Sequence, residues 1–592
     1  MYLHELYISD WNRLQAPTQY QGTGSSHELA ALMVTEVIQH SKDQKLPLYL
    51  LFLDAKSAFD RVVTEYLVRN LYLAGVDGDA LLIMNHRLSN RKTFCDWNRT
   101  LMGPIQDQHG VEQGGIPSSD YYKLYNNDLL QVLQKSEQGV DLGGGLVISA
   151  VGQADDVFLC SNNIFMLYNL LLLALNYCNK YSVELCADKT KLLLMTNKIE
   201  QRIVALNPIM INQEQVNFTN EAEHVGIIRS TFGNWPNLIN RIACCKKATN
   251  ATLAFGLAKG HRSNPAACLH VLQLYGTPVL MSGMASLVLN PSEVSLVHQF
   301  HKNTVQSLQK LHHGTPQAVI FFLAGCLPAT ATLHLRQFTN FGMVCRMPDD
   351  PLHKHAHHVL TTAKQSCSSW FTQLRNLCLQ YDLPHPLTFL EAPLSKDKFK
   401  NLVKSKVRDY WEQKLRAEAA PLPSLEYFKP DFMSLTRTHP LWSSAGSNPY
   451  EVAKAVIQAR MLSGRYRTKL LSSNWSERAD TSCFSSSCAE DESLEHILLR
   501  CPAYSTCRAN VVKKWRSADN PVVAKLAEDA LDIFPPAYLM QFILDPSVLP
   551  QVRLAAQMSG IDILNGTLSL ARTWCYTMHR ERLKLLGLWK FN

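Results

Sequence analysis

The chain has 592 residues, too many for one hydrophobic core, and that length predicts three or four domains. A hydrophobic share of 46% with 18% charged residues is a globular composition that does not force disorder, and no Gly/Ser or Pro tract stands out as a long linker. The net charge of +8 is uneven: residues 1–233 hold 18 Lys/Arg against 25 Asp/Glu, while residues 234–317 hold 7 against 1. An acidic first part beside a basic middle suits a track for a phosphate backbone, and solvated helix faces give the same balance. The start, MYLHELYISDWNRLQ, has no basic segment followed by an apolar run, so secretion is not expected. The most apolar stretch, IFMLYNLLLLALNYCNKY, is shorter than a membrane span and carries Asn, which predicts a buried helix and no membrane partner. Sixteen cysteines without a repeating framework predict free thiols in an intracellular compartment, nucleus or cytoplasm.

In chain order, HELAALMVTEVIQHSKDQK reads as a helix with Leu29, Leu32, Met33 and Ile38 on its apolar side. It leads into LPLYLLFL, a strand buried on both faces, with Asp54 at its downstream end. A charge there has a partner or a task; one alternative is that Asp54 caps a helix formed by AKSAFDRVVTEYLVRN. GVEQGGIPSSDYYKLYNNDLL then puts Gln113, Gly114, Gly115 and Pro117 ahead of an aromatic-rich helix. LVISAVGQADDVFLCS reads as a hairpin with Asp155 and Asp156 at its turn. One acid on a strand end and a pair on a hairpin tip can converge on two divalent cations, since Mg²⁺ prefers carboxylate oxygens. Two such ions about 3.5–4 Å apart stabilise both the attacking and the leaving oxygen of a phosphoryl displacement. Ordinary turn chemistry also accounts for the Asp pair taken alone.

Further along, YSVELCADKTKLLLM carries Lys189, and AEHVGIIRS forms a short hairpin pattern. From Asn234 to about Leu311 the sequence turns helical and basic, with Lys246, Lys247, Lys259, Arg262, Lys302 and Lys310. Helical patterns continue to FKNLVKSKVRDYWEQKLRAEAA, after which Pro421, Pro423 and Pro430 mark a boundary. CFSSSCAEDESLEHILLRC holds a second chemical constellation: four residues separate Cys483 from Cys488, seven separate Cys488 from His496, and four separate His496 from Cys501. Paired N/S donors at such spacings can close a tetrahedron on Zn²⁺, with Cys507 as a spare ligand; free thiols and an exposed His are the alternative. The last stretch interleaves Arg572, Arg580, Arg582, Lys584 and Lys590 with Trp574, Tyr576 and Trp589. That pattern suits single-stranded nucleic acid or, equally, an amphipathic packing helix.

The segments around Asp54, around Gln113-Gly114-Gly115 and around Asp155-Asp156, in this order and spacing, resemble the palm of a reverse transcriptase, most closely of the non-LTR retrotransposon (LINE/jockey-like) group. The resemblance implies an α/β palm, the polymerase right hand with an RRM-like antiparallel sheet and helices, followed by a mainly α thumb and a C-terminal helical region with a small zinc knuckle. The expected boundaries are 1–233 for the palm with partial fingers, 234–317 for the thumb, 318–425 for a helical extension and 426–592 for the C-terminal region, with the knuckle at 483–507. It implies RNA-directed DNA synthesis, with two Mg²⁺ ions held by Asp54, Asp155 and Asp156 and with Lys189 matching the Lys that protonates the leaving pyrophosphate. Phe59 matches the aromatic that excludes a 2′-hydroxyl, and Gln113 and Gly114 match the segment beneath the nascent base pair. A Cys-Cys-His-Cys knuckle on Cys483, Cys488, His496 and Cys501 belongs to the same pattern, with structural Zn²⁺. RNA template, DNA primer or target DNA and deoxynucleoside triphosphates are the implied partners. Two departures stand out: Gln153 replaces an aromatic two residues before the first hairpin acid, and Cys186 replaces an Asn. Residues 1–27 read as an N-terminally truncated start with no match to the cationic fingers or to an endonuclease. The chain as given is therefore expected to bind primer-template yet extend it feebly. The rival from another class is a co-opted nucleic-acid-binding remnant without polymerase activity.

Overall fold

The computed structural model describes residues 15–20, 26–195, 208–254, 263–362, 364, 367–473, 480–485 and 488–588. Lys259, Arg262, Trp589 and Lys590 lie outside them. The fold is mixed α/β and divides into two compact units: Met1–Asn240 with Met281–Glu293 and Leu333–Lys406, and Arg241–Leu280 with Val294–Thr332 and Val407–Asn592.

The first unit is built on a five-stranded sheet of β1 (Leu48–Leu53), β2 (Ala150–Gln153), β3 (Asp156–Ser161), β4 (Lys191–Met195) and β5 (Asn217–Thr219), in the spatial order β5-β4-β1-β3-β2. β1 runs antiparallel to both β3 and β4, and only β5 is parallel to its neighbour. Every residue of β1 is buried, as its unbroken apolar run predicts for a central strand covered on both faces. Tyr49, Leu51 and Leu53 point into a core shared with α2 (Ser118–Lys135) and α3 (Ile164–Tyr181). α3 is the predicted buried helix of the apolar stretch; Asn163 caps it, its side chain accepting from the Phe165 N–H at 2.9 Å. α1 (His27–Asp43) packs on β2, while Thr18–Tyr20 extend the sheet edge through paired hydrogen bonds with Gly152. The helix after Asp54 begins only at Thr64, so Asp54 caps no helix.

Among its described residues the second unit has helices and no strand longer than a bridge. Its C-terminal helix, Ile561–Leu585, packs against Pro449–Leu462 and Ser505–Arg516 and buries Trp574 with its ring 4.6 Å from that of Trp515. Two cations of the terminal basic-aromatic stretch are engaged in packing: Arg572 pairs with Glu451 at 2.6 Å and Arg582 with Glu492 at 2.8 Å, while Arg580 and Lys584 are about two fifths exposed. No single described helix is long and apolar enough to cross a membrane.

Candidate active site and metal centre

The central strand β1 delivers Asp54 just past its downstream end, where its side chain is 40% exposed. The chain immediately beyond β1 is gripped by the residues leading into β4. The Asp54 N–H donates to Thr190 Oγ1 at 3.2 Å, the Cys186 N–H donates to the Asp54 carbonyl at 2.8 Å, and the Lys56 N–H donates to the Glu184 carbonyl at 2.8 Å. Glu184 also takes salt bridges from Lys56 and Arg61, each at 2.6 Å, across the exposed loop that follows. The segment containing Lys189 thus positions Asp54 before Lys189 itself is considered. Lys189 Nζ then lies 4.0 Å from Asp54 Oδ1, and its side chain is 71% exposed.

The neighbouring antiparallel pair β2–β3 brings in the other two acids. Gln153 pairs with Asp156, leaving Ala154 and Asp155 as a two-residue turn; Asp156 is therefore the first residue of β3 and not part of the turn. Ala154 sits at φ +59°, a left-handed conformation that strains a residue with a Cβ, and its carbonyl accepts from Asn126 Nδ2 at 3.3 Å. Val157 pairs with Leu53, so the register sets the ends of β1 and β3 side by side. The acids interact in consequence. Desolvation by surrounding protein, then the charges of Asp155, Asp54 and Glu223, push the Asp156 carboxyl up to about 6. Crowded carboxylates of this kind, hard oxygens with little cationic compensation, are a donor set that fits Mg²⁺.

Of the predicted nucleotide-facing residues, Phe59 is half-buried and stacks on Tyr122 with ring centres 4.8 Å apart. The loop carrying Gln113 and Gly114 is tied to that of Phe59. The Val111 N–H donates to the Phe59 carbonyl at 2.8 Å and the Gly110 N–H to the Val62 carbonyl at 2.7 Å. A Cβ on Gly110 would come within 2.8 Å of the Asp60 carbonyl, so only glycine permits this approach. Gln113 and Gly114 are exposed, and Gly114, at φ +85°, has open space where a Cβ would stand. Three contributors escaped sequence reasoning. Tyr122 is buried beside Phe59, and the charge of Asp155 adds to burial in holding its phenol protonated; the signal was its place in the aromatic-rich helix. Thr190 is a buried hydroxyl with nothing in its spacing to mark it, and Glu490 belongs to the second centre.

That second centre is closed. The ligand atoms of Cys483, Cys488, His496 and Cys501 all lie within 4.8 Å of one another, with Cys483 Sγ 3.5 Å from Cys501 Sγ and Cys488 Sγ 3.4 Å from His496 Nε2. His496 and Cys501 sit five residues apart, which on an α-helix would put them about 140° apart. A π-helical turn over His496–Arg500, closed by the Cys501 N–H donating to the His496 carbonyl at 2.8 Å, turns both inward. Glu490 Oε2 meets His496 Nδ1 at 2.9 Å, which leaves Nε2 as the lone-pair donor toward the cluster. Burial and the neighbouring sulfurs push the Cys501 thiol up to about 12, the expected state of packed thiols before a cation replaces their protons. This Cys₃His set fits Zn²⁺ by donor type, number and enclosure. Cys507 stands apart on Ser505–Arg516, hydrogen-bonded with Glu581, and is not brought into the group.

With this geometry in hand, comparison with known proteins gives a family for part of the chain. Residues 12–220 match the family described as reverse transcriptase (RNA-dependent DNA polymerase), and the sheet and its three acids lie within the matched residues. Among solved structures, apo telomerase from Candida tropicalis aligns at TM-score 0.31 and 12% identity over 68% of this chain and 60% of that one. Telomerase from Candida albicans in complex with a fragment of telomeric RNA aligns at TM-score 0.29 and 12% identity, over 57% of this chain and 56% of that one. A Candida tropicalis telomerase truncated from its C-terminal domain aligns at TM-score 0.29 and 14% identity, over 39% and 43%. The chain thus spans between about two fifths and three fifths of the length of these structures. No curated protein matches it in sequence.

Proposed function

From the reverse transcriptase domain in residues 12–220 we infer that the chain is an RNA-directed DNA polymerase of the non-LTR retrotransposon type, joining a primer 3′-hydroxyl to the α-phosphate of a deoxynucleoside triphosphate. The observation that carries this reading is the convergence of Asp54, Asp155 and Asp156 at adjoining strand ends, where burial, and then the neighbouring acids, push the Asp156 carboxyl up to about 6. Asp54 and Asp155 would hold two Mg²⁺ ions, with Asp156 in support. When bound, such ions stabilise charge on both the attacking and the leaving oxygen. The protein's own residues do the rest. Thr190 and Cys186 fix the backbone of Asp54, the strained turn at Ala154 presents Asp155, and Lys189 stands at solvent beside Asp54, placed to donate a proton to a leaving phosphate. Phe59, braced by Tyr122, is the residue that screens the sugar, and the open backbone at Gly114 leaves room for the base pair above it. RNA template, DNA primer and deoxynucleotides are the partners this assignment requires. The Cys₃His module, whose donors would hold structural Zn²⁺, supports the retrotransposon type.

The test is primer extension on an RNA template in Mg²⁺ by the chain joined to a related cationic fingers segment ahead of Gln19, so that the parent rate is measurable. Asp54→Asn and Asp155→Asn keep the side-chain shape and remove a ligand charge, so extension should fall by about 10³-fold or more while salt-dependent binding of primer-template persists. Near-normal extension by either variant overturns the catalytic assignment, and failure of the parent chain to bind primer-template at low salt overturns the family reading of its substrate.

A further inference from the structure

Three buried residues of α2, each one turn from the next, form a stripe along that helix: Tyr122, Asn126 and Leu130. Tyr122 stacks on Phe59. Leu130 packs so closely under β2 that a Cβ on Gly152 would stand 2.6 Å from its Cδ1. Between them Asn126, 6% exposed, donates from Nδ2 to the Ala154 carbonyl at 3.3 Å. A carbonyl only accepts, so Nδ2 is the side-chain atom that must face it. The outer two contacts are packing, whereas the middle one is a directed bond to the turn that carries Asp155.

That turn makes an unusual demand. Gln153 pairs with Asp156, so Ala154 and Asp155 are its two central residues, and φ is positive at Ala154 but not at Asp155. A two-residue hairpin turn with positive φ at its first central position takes glycine there, because the left-handed region brings a Cβ too close to the backbone. This chain has alanine instead, so local backbone preference opposes the conformation observed and the surroundings must hold it. The Ala154 carbonyl and the Asp155 N–H are two ends of one planar peptide group. A bond that fixes the carbonyl therefore fixes the plane from which Asp155 projects, and here the donor comes from the interior of an 18-residue helix. Resting on the catalytic reading of the three acids, we propose that Asn126 is a positioning residue for Asp155: its amide holds the strained turn at Ala154 and thereby sets where the Asp155 carboxylate stands. Asn126 acts through the backbone of Ala154 and not on a carboxylate, so its loss should be repaired by whatever makes that backbone conformation easy.

The test is a double-mutant cycle read by metal binding. Mn²⁺ takes the same carboxylate oxygens as Mg²⁺, and its free form is counted by electron paramagnetic resonance in the full chain without nucleotide or nucleic acid. Asp155→Asn identifies the Mn²⁺ that the three acids hold. Asn126→Leu keeps the side-chain volume and removes the donor, and it should weaken that Mn²⁺ by about 10- to 100-fold. In an Ala154→Gly background, where the left-handed conformation is freely adopted, the same change at Asn126 should weaken it by about threefold or less. Primer extension by the chain joined to cationic fingers should follow the same pattern in its maximal rate, with KM for the deoxynucleotide little changed. Equal losses in the two backgrounds would make Asn126 a packing residue and overturn the proposal. So would unchanged Mn²⁺ affinity in Asn126→Leu when Asp155→Asn loses the ion; both results leave the reading of the acids standing. Mn²⁺ binding indifferent to Asp155→Asn overturns that reading and the proposal together.

Discussion

Asp54, Asp155 and Asp156 come from the ends of strands and the turn between two of them, meet only through the sheet and stand open to solvent. Cys483, Cys488, His496 and Cys501 come from one short segment and are largely sealed from it. The first set offers hard oxygens with open positions, which substrates and exchangeable ions require; the second offers soft donors in a closed shell, which suits an ion that never leaves. The supports differ accordingly. Asp54 is held through its backbone by Thr190 and Cys186, leaving its carboxylate unengaged by those bonds, whereas His496 is held through its ring by Glu490. The three acids are braced from behind and left open in front; the Cys₃His cluster is braced through its histidine ring and largely enclosed.

This contrast is broken most directly by exchanging consequences between the sites. If the Cys₃His cluster holds Zn²⁺ as proposed, Cys501→Ser should remove that equivalent and loosen the segment around it, because a short Cys-rich segment has little core of its own. Asp155→Asn should leave that zinc equivalent and the thermal melt unchanged while extension falls by about 10³-fold. Metal analysis and melting curves of the two variants decide it: a zinc loss in Asp155→Asn would mean that the centres are coupled and not independent.

Lys189→Ala comes next in size. A positioned general acid contributes about 10²- to 10⁴-fold, and Lys189 is exposed and 4.0 Å from Asp54, so the lower end of that range is expected for extension rate with primer-template affinity little changed. An effect on affinity alone would make Lys189 a phosphate contact.

What was legible in the sequence follows the same division. The unbroken run LYLLFL announced a central strand, and two β-rich runs around Asp155 and Asp156 announced a hairpin, because period and composition report burial directly. Cys483, Cys488, His496 and Cys501 were found by local spacing, since all four lie within one segment. The long-range parts were not legible. Nothing in AKSAFDRVVTEYLVRN says that the helix waits until Thr64, and the π-helical turn at His496–Arg500 has no compositional mark. The sequence offered no sign that two of the terminal cations, Arg572 and Arg582, pair with Glu451 and Glu492, far away in the chain. Tyr122 and Thr190 act on residues more than fifty positions distant, and a single sequence carries no record of such contacts.

Phe59→Ala sharpens the open side of the comparison. Phe59 is braced by Tyr122 and sits in the loop joined to Gln113 and Gly114, so removing its ring should admit ribonucleotides about tenfold more readily while deoxynucleotide extension persists. Unchanged sugar selectivity, measured with matched ribo- and deoxynucleotides, would make Phe59 a core residue only.

The smallest effect belongs to the closed side, at Glu490. Its carboxylate is more than half exposed, so as an ion pair with His496 it would contribute little to stability on its own. Its consequence is for the ring: an acceptor at Nδ1 keeps the Nε2 lone pair pointed at Cys488 Sγ, 3.4 Å away. Glu490→Gln still offers an oxygen to Nδ1 but no charge, and zinc affinity should fall by about tenfold, toward the lower end for a lost carboxylate behind a ligand because solvent reaches this one. His496→Ala, which removes the ligand itself, should weaken zinc much further. Competition with a chelator of known affinity separates the two. Equal losses would mean that His496 is not a ligand and that Glu490 and His496 act together in holding the loop; no loss in Glu490→Gln would mean that the π-helical turn alone orients the ring.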